Sequence, residues 1–292
     1  MPTVPKDPQL KTRTTTSECV NESGEPCSSK EVVHTIQEFV VSCGGPAVAG
    51  PAAVDLAAAA LQCGSESCVL SHPEFRRYVV ETGHDRRILD KDLEVRFKAA
   101  GPRDSTALLS NFNIDDTMRR WARVFPEFHP CAFAMMDFDR NGDEFGSVDL
   151  ARLLGARKSA KTCFGCVVNT DVSSGGGKHW VAVFVDCRSA AAPWTVEYFN
   201  SSGNPPPRPM VKWMEGARAE LAAARGGAVE TVPVTDVDHQ ESRTECGVYA
   251  LYYIRRRLEG TAPGFFASHI VPDADMMAFR QHLFRSTASG RA

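Results

Sequence analysis

Cys246 stands where a polar run ends and an apolar one begins. Residues 240–254 read Gln-Glu-Ser-Arg-Thr-Glu-Cys-Gly-Val-Tyr-Ala-Leu-Tyr-Tyr-Ile. This is the profile of a loop feeding a buried helix, with the thiol in the first turn. Free N–H groups and the positive end of the helix dipole stabilise a thiolate, so a cysteine there can have a depressed pKa. Gln240 lies six residues upstream, close enough for its carboxamide to reach the same small volume. The pair suggests a nucleophile, Cys246, and an oxyanion donor, Gln240.

A thiol hydrolase needs two further parts: an imidazole to activate the sulfur and protonate the leaving amine, and a group to orient that imidazole. His179 opens the apolar run Trp180-Val181-Ala182-Val183-Phe184-Val185, which reads as a buried strand. Asn200 closes the next strand, Trp194-Thr195-Val196-Glu197-Tyr198-Phe199. If the two strands pair as a hairpin, both side chains fall at one edge of the sheet, and the Cys246 helix packs against that sheet. Each residue alone is ordinary. The four together are not.

The rest of the chain must position these groups. It has 292 residues, enough for one large core or two domains. Its net charge of −3 gives no case for a nucleic-acid or membrane surface. No apolar run is long enough to span a bilayer, and the first residues lack a signal-peptide core. A reducing cytosol is expected, with the ten cysteines mostly unpaired. Residues 1–28 are polar and Pro-containing and read as a flexible tail. Residues 29–100 read as a helical accessory arm: a capped helix over 32–41, an Ala-rich helix over 51–61, and a helix over 73–98. Residues 101–292 form the catalytic domain. It contains a helix after Ser110 with Asp115 and Asp116 in its first turn, and a strand over 131–136. It continues with a strand over 163–169, the His179 hairpin, a helix over 208–224, a strand over 228–234, the Cys246 helix and a last helix over 273–285.

Three local patterns suggest other chemistry. Cys63, Cys68 and His72 lie close enough to invite zinc, but a second ligand pair is missing, so packed thiols are expected. Cys163-x-x-Cys166 sits inside an apolar strand and reads as core rather than as a redox motif. Asp137-Phe138-Asp139-Arg140-Asn141-Gly142-Asp143 imitates a calcium loop, but Val148 occupies the position that needs a bidentate Glu. No metal or other cofactor is called for.

Taken with their neighbours, these residues resemble a known family. His179-Trp180 opening a strand, Tyr198-Phe199-Asn200-Ser201-Ser202-Gly203, and Gln240 before Thr244-Glu245-Cys246-Gly247 look like the SUMO-protease family of cysteine peptidases, which includes adenovirus protease. The chain order His, Asn, Gln, Cys is that family's. The stretch from Leu108 to Asp116 resembles the segment that opens its catalytic domain. Asn at position 200, where SUMO proteases usually carry Asp, resembles the polyprotein-processing branch from large DNA viruses, of the African swine fever virus type.

The resemblance implies an α+β fold: a small mixed sheet packed against helices, with a helical N-terminal arm. It implies cleavage after Gly-Gly in viral structural precursors during virion maturation, in the host cytoplasm at assembly sites and in the virion. It also gives the roles. The Cys246 thiolate attacks, His179 holds the ion pair and protonates the leaving amine, Asn200 bonds the far ring nitrogen, and Gln240 with the Cys246 N–H binds the oxyanion. Trp180 is expected to roof a channel too narrow for a P1 side chain. Two rivals remain at this point: a deubiquitinase or SUMO deconjugase using the same chemistry, and an inactive relative that only binds a partner.

Overall fold

The computed structural model describes residues 19, 26–102, 106–154, 160–235 and 237–285. They fall into two compact units. One runs over Thr106–Arg280; the other holds the described residues before 103 and those after Arg280.

The second unit is helical. Lys30–Ser42 is capped by Ser29, whose hydroxyl accepts from the Val32 N–H, and it buries Val32, Ile36, Phe39 and Val40 on one face. Pro51–Ala60 and Glu66–Ser71 follow. The single helix expected over 73–98 is instead two, Pro73–Glu81 and Arg86–Val95. Gly83, at φ +81°, turns the chain between them, and the Asp85 carboxylate caps the second. Two disulfides lie here, Cys19–Cys27 and Cys63–Cys68, in place of the packed thiols expected at 63 and 68. The described part of the expected tail is also held: the N–H groups of Cys27 and Ser28 donate to the Glu66 carboxylate. A short pair of strands, β1 (Ala99–Ala100) and β8 (Phe284–Arg285), closes this unit. The C-terminal residues therefore belong to the helical unit.

The first unit is built on a mixed sheet. Its strands are β2 (Phe128–Pro130), β3 (Ala134–Met135), β4 (Cys163–Asn169), β5 (Trp180–Asp186), β6 (Trp194–Phe199) and β7 (Val229–Val234), in the order β2-β4-β5-β6-β7 with β3 also on β4. Cys131 to Met136 was expected as one strand. Instead β2 and β3 each run parallel to β4, and Cys131 to Phe133 lie between them. β5 and β6 form the expected antiparallel hairpin, with Ala182 opposite Phe199.

Side-chain alternation gives the sheet two buried faces. On one, Phe164, Cys166, Val183, Val185, Val196 and Tyr198 pack with Met210, Met214 and Leu221 of the helix Arg208–Arg225. Cys166 is core there, as read from the sequence. The other face receives the helix Cys246–Leu258, which is apolar nearly all round and buried along its length. Phe199 stacks on Tyr253 with ring centroids 4.5 Å apart.

One polar cluster lies within that second interface. Glu197 of β6 is fully buried, accepts from the Tyr253 hydroxyl at 2.8 Å, and takes two bonds of 2.7 Å from Arg257. Arg257 also reaches Asp186 of β5 at 3.0 Å. Arg188 pairs with Asp186 and donates to the Arg257 and Leu258 carbonyls, which end the helix. Removing one partner would leave a charge buried and alone. Glu197→Ala is therefore expected to cost about 3–5 kcal/mol of stability, read from the urea unfolding midpoint; a loss below about 1 kcal/mol would show that the cluster does not hold the helix to the sheet.

Candidate active site

Cys246 is the first residue of its helix and is 3% exposed. The main-chain N–H groups of Trp180, Gly247 and Cys246 itself point at the sulfur and favour its anion. Burial acts the other way and is larger, and the buried Glu245 carboxylate adds to it. The thiol pKa is thus raised, not depressed as the helix position alone suggested. A helix end stabilises a thiolate by a fraction of what withdrawal from water costs.

Trp180, whose main-chain N–H is among the groups favouring the sulfur's anion, directly follows His179 in the chain. His179 and Asn200 lie at the sheet edge that the hairpin register defines, and His179 Nε2 is 2.8 Å from Asn200 Oδ1. Which amide atom faces the ring is fixed by the network. Asn200 Nδ2 donates to Tyr198 Oη and to the Asn204 carbonyl, both at 3.2 Å, and the Ser202 N–H donates to Oδ1. An acceptor therefore faces Nε2, so Nε2 carries the proton and Nδ1 keeps the lone pair. Burial lowers the His179 pKa below its ordinary value, offset in part by the Asn200 bond. Burial also pushes the Tyr198 phenol up to about 12, so it stays protonated. Burial thus works against the charged form of both groups, the thiolate of Cys246 and the imidazolium of His179.

Gln240 joins the same turn by another route. Its carboxamide accepts from the Ser201 hydroxyl at 2.8 Å and donates to the Ser242 carbonyl at 2.8 Å. Ser242 N–H in turn donates to Asp273. His179 and Asn200 thus meet directly and Gln240 joins them through Ser201, while Cys246 lies beside Trp180, the residue after His179.

Trp180 is buried. Its indole N–H donates to the Leu109 carbonyl at 3.2 Å, and Phe133 meets it edge-on. A side chain on Gly247 would lie 3.1 Å from Leu109 Cβ and 3.2 Å from Trp180 Cδ1, so the roof closes over bare backbone. A cleft of about 660 Å³ leads to Cys246 between Leu108, Leu109, Phe133 and Trp180 on one side and Gly175 to Lys178 on the other. Asp115 was expected in the first turn of the helix Asn111–Val124 as a dipole partner. Its carboxylate accepts from Phe133 N–H at 2.8 Å and so steadies the cleft wall. Asp137, in the calcium-like stretch, holds Ser173 through its N–H and hydroxyl. Among the described residues no cluster of three or more His, Cys, Asp or Glu is arranged to hold a metal ion.

The stretch Ser173 to Lys178, just before His179, is rich in glycine. It is wrapped around Asp171, whose carboxylate accepts from Val172 N–H, Gly177 N–H and Lys178 Nζ. Asn169 Oδ1 accepts from Asp171 N–H and Lys178 N–H. The readable signal was Asn and Asp just ahead of three glycines, an Asx-type turn former beside residues without Cβ.

A sulfur, an imidazole and a carboxamide disposed in this way serve thiol peptidases, and the sequence relations agree. The profile of the Ulp1 protease family, C-terminal catalytic domain, matches residues 166–289. Together with its relatives, that match makes the chain a member of the Ulp1 family of cysteine proteases. Over 235 residues, 77% of this chain and 84% of the other, it is 47% identical to the SUMO-1 cysteine protease of African swine fever virus. Identity and coverage are the same for the cysteine protease of the Badajoz strain. The crystal structure of the pS273R protease of that virus superposes with a TM-score of 0.76 at 39% identity, covering 94% of this chain and 98% of that one. The fold is therefore the expected α+β, SUMO-protease-like one.

Two outcomes follow from this geometry. A Cβ on Gly175 would sit 2.2 Å from the Asp171 carboxylate. Gly175→Ala must shift the wall that precedes His179, and kcat/KM is expected to fall about 10- to 100-fold with the fold intact by circular dichroism. The second concerns pH. With His179 as the base proposed below, which must be neutral to accept the thiol proton, activity is lost as pH falls through its pKa. Because burial lowers that pKa, the acid limb of kcat/KM is expected below 6.5, the ordinary value. Asn200→Asp favours the charged ring and should move the limb up by about one pH unit; Asn200→Ala removes a bond that raises the pKa and should move it down. Shifts of the opposite sign would reverse the assignment.

Proposed function

We propose that this cysteine protease cleaves after Gly-Gly in viral structural precursors during virion maturation, in the host cytoplasm at assembly sites. The observation that carries the reading is the closed roof over Cys246. Trp180 and Leu109 lie against Gly247, beside the sulfur, and support a slot for backbone without side chains. Asn200, rather than Asp, on the histidine supports the same branch, as does the 47% identity to a protease of a large DNA virus.

The roles follow. His179 Nδ1 takes the thiol proton as Cys246 attacks the scissile glycine carbonyl, and returns it to the leaving amine. Asn200 holds the ring. Being neutral, it stabilises the imidazolium less than a carboxylate would. Gln240 and the Cys246 N–H receive the oxyanion. Trp180 confines the chain ahead of the cleaved bond.

A second reading has its own support. The similar viral enzyme is named a SUMO-1 cysteine protease, so a ubiquitin-like conjugate ending in Gly-Gly is the competing substrate. The two separate when a Gly-Gly-x precursor peptide and a SUMO conjugate are compared at equal concentration. A higher kcat/KM on the conjugate would favour deconjugation. On the peptide, Cys246→Ala is expected to abolish cleavage. Replacing the P1 glycine by alanine should cost at least about 100-fold, because the slot must open to admit a methyl group. Equal cleavage of both peptides would refute the slot.

A further inference from the structure

Ser201 lies between the two carboxamides of the site and is 1% exposed. Its hydroxyl is 2.8 Å from Gln240 Oε1. Its carbonyl accepts both the His239 N–H, at 2.8 Å, and the Gln240 N–H, at 3.1 Å. One residue back, Asn200 holds the imidazole. One residue on, the Ser202 hydroxyl stands 3.4 Å from His179 Nε2.

The chemistry of these contacts fixes which way the Gln240 amide faces. The Ser242 carbonyl has no hydrogen to give, so the nitrogen end must point to it. The oxygen end is then left for Ser201, whose hydroxyl has to donate. One Nε2 hydrogen is taken by Ser242, and the second has no acceptor among the described residues. A rotated amide would offer a lone pair where negative charge develops and would repel it. Donation into Oε1 also polarises the amide and strengthens the remaining N–H as a donor.

We propose that Ser201 is a positioning residue of the oxyanion site. Through its hydroxyl it locks the Gln240 carboxamide with a nitrogen-bound hydrogen free for substrate, and it ties that group to the turn that orients His179. The inference rests on Gln240 being the oxyanion donor.

The test is a double-mutant cycle on the Gly-Gly-x peptide, with kcat and KM measured separately for Ser201→Ala, Gln240→Ala and the double variant. Gln240→Ala is expected to lower kcat about 10²-fold. Ser201→Ala should lower kcat about 5- to 20-fold, as partial loss of one oxyanion donor, with KM changed less than about twofold. In the double variant kcat should match Gln240→Ala alone, because the group through which Ser201 acts is gone. The rate of Cys246 alkylation by iodoacetamide is the control. Alkylation uses the thiol and imidazole but forms no oxyanion, so Ser201→Ala should leave it unchanged.

Effects that multiply in the double variant, or an alkylation rate that falls with kcat, would overturn the proposal. Should the alanine variant not fold, Ser201→Cys, of similar size and a much weaker donor, enters the same kcat cycle with the same expected coupling. If Gln240→Ala alone leaves kcat unchanged, the oxyanion reading of Gln240 has failed. That result comes from the single variant, whatever Ser201 does.

Discussion

The site depends on a buried charge cluster that lies away from the chemistry. Glu197, Arg257, Asp186 and Arg188 join three elements: β5, β6 and the helix that starts at Cys246. Each of these elements also has one of the site's groups at one of its ends. β5 begins one residue after His179, β6 ends one residue before Asn200, and the helix begins at the thiol. Elements tied to one another by directional contacts keep their ends in register. An apolar interface alone would permit sliding by a fraction of a turn, because dispersion contacts are individually weak and non-directional. A bidentate guanidinium–carboxylate pair, with a tyrosine hydroxyl beside it, tolerates far less. The aromatic stack of Phe199 on Tyr253 adds area to the same joint.

Much of this was legible in the chain. The unbroken apolar runs at 180–185 and 247–254 could only be buried, and length separated strand from helix. The hairpin followed from two such runs with a turn between, and with it the meeting of His179 and Asn200. The sequence did not show what depends on pairing at a distance. Cys63 and Cys68 gave no sign of facing each other, since side-chain direction is set by local helix geometry. The run from 73 to 98 looked like one helix because Gly83 is tolerated in a periodic pattern until the Asp85 cap is seen. Ser201 and Leu109 have ordinary types, and only their partners give them meaning.

The reversed pKa shift at Cys246 has the same origin. From the sequence, the helix start was visible and the depth of burial was not, and the second outweighs the first. Both shifts, at Cys246 and at His179, work against charge separation in the empty site. In the proposed mechanism charge develops as the sulfur attacks, when the imidazole becomes cationic and the substrate oxygen anionic. Asn200 and Gln240 meet these two charges as neutral dipoles, already oriented, so little reorganisation is needed at that moment.

The withdrawn sulfur has one more effect. Peroxides react with thiolates and need access to them. A sulfur buried to this degree, whose anion burial disfavours, is a slow target for oxidants. The depth that works against the anion therefore also preserves the sulfur through idle periods, a form of shelf life written into the packing.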